Sequence, residues 1–119
     1  MTRYLVFVYG TLLKGFGNHH LLEDSEFVGD HETDPEYSMY SNGSYPMVIR
    51  GSGVIYGEVY RVNDSTLVSL DTLEGYPNLY RREIIDTPYG EAFIYIYNRE
   101  FCHSFEEISS GDWTLRPKR

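Results

Sequence analysis

The sequence predicts a small α+β fold in which strands outweigh helices. Three observations carry this. Four runs rich in β-branched and aromatic residues are separated by Gly, Pro, Asn and Asp. One longer segment repeats its leucines at helical spacing. No internal repeat, linker or low-complexity tract divides the 119 residues, so one domain over 1–119 is expected.

Tyr4 to Tyr9 is an almost unbroken apolar run, expected as a strand covered on both faces. It stops at Gly10-Thr11. Asn18 to Leu22 reads as a short turn of helix. Val54 to Val62, VIYGEVYRV, reads as a strand with Val54, Tyr56, Glu58, Tyr60 and Val62 on one face. In NDSTLVSLDTLEG, Asp64 can cap a helix, Leu67, Leu70 and Leu73 recur every three residues, and Gly75 can close it. Tyr80 to Asp86 and Ala92 to Asn98 read as two strands joined by the hairpin turn TPYGE. Ser104 to Glu107, SFEE, has the spacing of a capping box and is expected to open a short helix.

Composition narrows the function classes. The net charge is −8, and the one basic cluster, Arg116, Lys118 and Arg119, reads as a solvated end. A nucleic-acid partner is not expected, because such a protein must neutralise phosphates with a basic stripe. No apolar run nears the roughly 20 residues of a membrane span, and the N-terminal run lacks the form of a signal peptide. The single cysteine, Cys102, rules out an internal disulfide and fits a reducing compartment. A soluble, cytoplasmic protein is the expectation.

His19, His20, His31 and His103 show no ligand spacing, so neither a metal nor a cofactor is expected. Cys102 and His103 are adjacent only in sequence, which is not catalytic geometry. Lys14 precedes its glycine, so the opening turn is no Walker loop. Gly10 lets the chain turn and lets a ligand approach the backbone, where successive N–H groups can cradle an anion. An ordinary strand-to-loop turn is the other reading.

Glu74 stands at the predicted helix C-terminus, just before Gly75. The negative end of the helix dipole, like-charge repulsion from Asp71 and burial in a pocket would all raise its pKa towards neutrality. That suits proton transfer; the alternative is a solvated glutamate at a fraying end. Glu58 is expected as a satisfied sheet residue, and Glu83 and Asp86 as surface charges at strand ends.

VYGTL (Val8 to Leu12), YPMV (Tyr45 to Val48), GEVY (Gly57 to Tyr60), LDTLEGYPNLYRRE (Leu70 to Glu83) and SGDW (Ser110 to Trp113) follow one another in a familiar order. Together they resemble the gamma-glutamylcyclotransferase-like family, which includes the AIG2-like and gamma-glutamylamine cyclotransferase proteins. The resemblance runs from about Tyr4 to Trp113. It implies a small mixed β-barrel with short flanking helices. It implies that the backbone at Tyr9, Gly10, Thr11 and Leu12 holds the α-carboxylate end of a γ-glutamyl group, and that Glu74 is the catalytic acid and base. Tyr45 and Tyr80 match recurrent family tyrosines that shape the pocket or pack beside it. The implied reaction turns a small γ-glutamyl substrate into 5-oxoproline and a free amine or amino acid. Two other readings stand beside it: a non-catalytic binding or regulatory module on the same fold, and an enzyme that removes a γ-glutamyl protecting group from a biosynthetic intermediate. The acidic stretch Glu23 to Glu36 is read as a solvated face, with a possible second effect of repelling acidic leaving groups.

Overall fold

The computed structural model describes residues 2–98 and 105–116. In chain order these form β1 (Tyr4–Val8), a 3₁₀ turn (His19–Leu22), β2 (Glu26–Glu32), β3 (Tyr37–Ser41), β4 (Pro46–Arg50) and β5 (Tyr56–Val62). Then follow α1 (Asp64–Glu74), β6 (Tyr80–Thr87), β7 (Gly90–Tyr97), β8 (Glu106–Glu107) and a 3₁₀ turn (Trp113–Leu115). No described helix is long and apolar enough to cross a membrane.

β1 occupies the centre of a five-stranded sheet ordered β2-β5-β1-β7-β6. It pairs antiparallel with β5 and parallel with β7. A central strand needs both faces apolar, and Val6, Phe7 and Val8 are buried accordingly. β6 and β7 form the expected hairpin, whose turn is tied by the Thr87 hydroxyl donating to Gly90 O at 2.7 Å. A second sheet, ordered β4-β3-β8, packs through β4 against β7.

α1 follows β5 directly and buries Leu67 and Leu70. Its cap is one residue earlier than expected. Asn63, in extended conformation, accepts from Thr66 N at 2.8 Å. Asp64 is the first helical residue and accepts from the Tyr4 hydroxyl. Gly75 closes the helix as expected, in the left-handed conformation with φ 64°.

Two expectations change. The barrel is not closed: among the described residues the strands form two separate sheets. The two edges of the large sheet flank a groove lined by His31, Thr33 and Asp34 on one side and Ile84, Ile85 and Asp86 on the other. A side chain spans the ends of those edges where a ladder would otherwise run: Tyr89 OH, on the β6–β7 turn, donates to Asp30 O at 2.8 Å. The expected helix at Ser104 to Glu107 is also absent over its described part. Glu106 and Glu107 form β8, because the open edge of β3 offers backbone partners there. Ser104, with Cys102, His103, Lys118 and Arg119, lies outside the described residues. Gly10 stands at the bend that follows β1, without a positive φ. Its missing Cβ makes room for Pro46 instead: a Cβ would overlap Pro46 Cγ and stand 2.8 Å from Cδ.

The Gly10–Pro46 contact joins the end of β1 to the start of β4, so it couples the two sheets. Gly10→Ala should therefore destabilise the fold by about 1–3 kcal/mol, the range of overpacked cores. Urea unfolding of the two proteins measures it.

Candidate active site

The turn after β1 is built from short-range bonds. Leu13 N donates to Gly10 O and Asn18 N to Thr11 O, both at 3.0 Å. The Asn18 side chain donates to Thr11 Oγ1 at 2.9 Å, and a His19 ring nitrogen lies 2.8 Å from Leu12 O. From below, the Glu58 carboxylate accepts from Lys14 N at 3.2 Å and from Tyr60 OH at 2.9 Å. Glu58 is thus the satisfied sheet carboxylate expected. These bonds engage the carbonyls of Gly10, Thr11 and Leu12 and the amides of Leu13, Lys14 and Asn18. Among the described residues, the backbone N–H groups of Gly10, Thr11 and Leu12 have no acceptor.

Those three residues form one wall of a cavity of about 270 Å³. The end of α1 adds Leu73 and Glu74 to the lining of the same cavity. Pro46 and Tyr45 come from the loop into β4, Tyr80 from the start of β6 and Tyr95 from β7. All seven residues singled out in the sequence, Tyr9, Gly10, Thr11, Leu12, Tyr45, Glu74 and Tyr80, therefore line one cavity. None of the Glu23 to Glu36 stretch does, because β2 lies two strands away from the β1–β7 seam. The idea that this stretch repels acidic leaving groups loses its structural basis. As a solvated face, the stretch is now an edge strand whose backbone pairs with β5.

Glu74 is half-buried, with protein packed densely around its carboxyl. Burial pushes its pKa up to about 7. The expected repulsion from Asp71 is not among the causes. Asp71 instead accepts from Tyr95 OH at 2.7 Å and faces the Arg82 guanidinium at 3.6 Å. The Glu74 carboxyl makes no hydrogen bond or ion pair among the described residues.

Three tyrosines stand near Glu74, and each has its hydroxyl turned elsewhere. Tyr9 OH donates to Tyr95 O at 2.6 Å and Tyr80 OH to Pro46 O at 2.7 Å. Tyr95 OH serves Asp71. Burial first, and the Glu74 charge among lesser causes, holds all three phenols well above their ordinary pKa, so they remain protonated donors. A carboxylate surrounded by donors that are already engaged gains nothing from them, which leaves desolvation unopposed.

Several lining residues were not singled out from the sequence: Asn18, Ser44, Leu73, Leu79 and Tyr95 among them. Tyr95 carried a usable signal, since it alternates with isoleucines in a strand covered on both faces. A buried phenol there needs a partner. Glu83, expected at the surface, is mostly buried and pairs with Arg50 and Arg81. Asp86 is exposed as expected.

The comparisons with known proteins agree with this architecture. The model of the gamma-glutamyl cyclotransferase, AIG2-like family matches residues 6–115. A Vibrio cholerae protein named as a candidate gamma-glutamylcyclotransferase is 49% identical, over 96% of this chain and 98% of its own. The gamma-glutamylcyclotransferase family protein YtfP of Escherichia coli K12 is 42% identical, over 95% of this chain and 98% of its own. The solution structure of the E. coli protein superposes with a TM-score of 0.77, covering 96% of this chain and 99% of that one. A crystal structure of an uncharacterised Pyrococcus horikoshii protein, 29% identical, superposes with a TM-score of 0.81 over 92% of this chain and 89% of its own.

The raised Glu74 carboxyl has a cost in stability. Between pH 4.5 and about 7 the folded state holds a proton that the unfolded state has released. Stability therefore falls as pH rises through that window and levels off above it. Glu74→Gln is uncharged throughout and escapes the loss. Relative to wild type, it should gain about 1–3 kcal/mol between pH 5 and pH 8. Urea unfolding at the two pH values checks this.

The family match over residues 6–115, the two relatives above 40% identity and the shared architecture agree: this chain belongs to the gamma-glutamyl cyclotransferase, AIG2-like family.

Proposed function

We propose that the protein is a cyclotransferase that converts a γ-glutamyl amine or γ-glutamyl amino acid into 5-oxoproline and the free amine, with Glu74 moving the protons. The observation that carries this is the pairing, in one cavity, of an unpartnered carboxyl near pH 7 with three unclaimed backbone amides.

The amides and the carboxyl suit the two charges of a γ-glutamyl head. The cavity lining holds no Lys or Arg, so the α-carboxylate would rest on the amides of Gly10, Thr11 and Leu12. The α-ammonium would face Glu74. As a carboxylate, Glu74 takes one ammonium proton, and the free amine attacks the γ-carbonyl carbon. A new C–N bond closes the five-membered ring, and a tetrahedral oxyanion forms. Glu74 gives that proton to the leaving nitrogen, the old C–N bond breaks, and the regenerated Glu74 carboxylate takes the second proton from the nitrogen that attacked and passes it to the released amine, which departs as an ammonium. Holding both ends of the head favours the curled conformer, which supplies proximity. Tyr45, about a third exposed, and Leu73 stand where the leaving group would exit. Tyr80 supports the wall by holding Pro46 O. The single domain over 1–119 and a cytoplasmic location belong to the same reading.

The test is release of 5-oxoproline from a panel of γ-glutamyl amines, γ-glutamyl amino acids and glutathione. Wild type should turn over at least one of them, and Glu74→Gln should fall about 10²- to 10⁴-fold in kcat. No product from a folded protein whose melting temperature rises with the same compounds would instead support the binding module.

Because Glu74 must be ionised to accept a proton, kcat/KM should rise with pH through a midpoint near 7. That limb should vanish in Glu74→Gln. A midpoint near 4.5 would place the base in a solvated site and count against the reading.

A further inference from the structure

We propose that Asp71 is a positioning residue for Glu74, acting by keeping the Tyr95 hydroxyl engaged and away from the Glu74 carboxyl. This rests on the reading of Glu74 as the acid and base, which it deepens.

Asp71 lies on α1 three residues before Glu74, nearly one turn back. Its carboxylate is fixed from two other strands. Tyr95 OH, from β7, donates to Oδ1 at 2.7 Å, and Arg82 Nε, from β6, approaches the same oxygen at 3.6 Å. Arg82 is itself held flat, with its guanidinium carbon 4.2 Å from the centre of the Tyr76 ring and 4.7 Å from that of Phe93. The last turn of the helix is thus pinned to the sheet four residues before the Gly75 cap, whose N–H donates back to Asp71 O and Thr72 O.

The pin also decides where a donor points. The groups around Glu74 are Tyr9 just after β1, Tyr80 from β6, Tyr95 from β7 and Tyr45 at the mouth, with Asp71 on its own helix and Arg82 behind Asp71. Tyr9 and Tyr80 donate to backbone carbonyls, which cannot leave. Tyr95 donates to a side chain, so its allegiance depends on one carboxylate. Without Asp71 the Tyr95 hydroxyl loses its acceptor in a buried site, and Glu74 is the other carboxylate at hand. A hydrogen bond to the charged form would stabilise it and make Glu74 a weaker base.

The test follows the titration of the Glu74 carboxyl by ¹³C NMR, identified by its loss in Glu74→Gln. Asp71→Ala should lower the Glu74 midpoint by about one to two pH units, as one charge-assisted hydrogen bond requires. Tyr95→Phe alone should leave it near its wild-type value. The double variant, with no hydroxyl to donate, should return it most of the way. If the double variant stays as low as Asp71→Ala, the charge of Asp71 acts directly and the proposal fails. No shift in Asp71→Ala also overturns it. Should Asp71→Ala fail to fold, Asp71→Asn keeps the shape with a weaker acceptor and must shift the same way by a smaller amount; no shift there is equally fatal. These readings need no turnover, so a failure of the cyclotransferase reading is distinguishable. Where turnover is present, the rising limb of kcat/KM should move with the NMR midpoint.

Discussion

The site depends on one constraint: a carboxyl group is set where no donor is available to it. The Gly75 cap ends α1 at Glu74, so the carboxyl meets the negative end of the helix as it enters the cavity. Burial strips much of its water, and the three nearby phenols bond to other acceptors. Each of these alone is common. Their coincidence makes proton loss and proton gain nearly equal in free energy near pH 7. A solvated glutamate would be ionised but would hold a proton too weakly to return it to a leaving nitrogen.

The Gly10 part of the cavity rests on Pro46. Its ring packs on Gly10, where a side chain would intrude, and its carbonyl takes the Tyr80 hydroxyl. Proline can occupy the first residue of a strand, where its missing N–H interrupts no ladder. One residue therefore ties β1, β4 and β6 together at the cavity. The glycine in the opening turn answers to packing here, whereas Gly75 answers to backbone conformation. The same residue type meets two different needs.

Much of this was legible in the sequence, and the reasons are particular. β1, β5 and β7 were visible because their apolar runs record burial, and β6 because the TPYGE turn pairs it with β7. α1 was visible because its leucines keep helical spacing and Gly75 marks its end. Glu74 followed from its place in that helix, and the motif order supplied the family. β2 was hidden because an exposed edge strand carries its side chains in water: EFVGDHE reads as a charged loop, although its backbone is paired. β4 was hidden by its own first residue, since proline after Gly43-Ser44-Tyr45 reads as a turn. β8 is two residues long and exists because β3 has a free edge, a fact no local sequence contains. Closure of the barrel was likewise a property of how edges meet. Asp71 was noticed but given the wrong part, because its partners Tyr95 and Arg82 are distant in sequence.

That last correction bears on how the site is tuned. Had Asp71 acted as a bare neighbouring charge, Glu74 would owe its basicity to repulsion, which salt screens and which falls off with distance. An Asp71 satisfied by Tyr95 and Arg82 contributes little net charge. Desolvation is then left as the principal lever, and desolvation depends on how well Leu73, Leu79 and the tyrosines exclude water. A γ-glutamyl head entering the cavity would displace more of that water. Its ammonium would lower the Glu74 pKa as it approached, and its departure as a neutral ring would raise it again. The carboxyl would thus be a proton acceptor when the cationic amine arrives and a proton donor after the amine has been consumed. On the proposed mechanism, a single glutamate would serve both steps because the substrate's own charge would set its state.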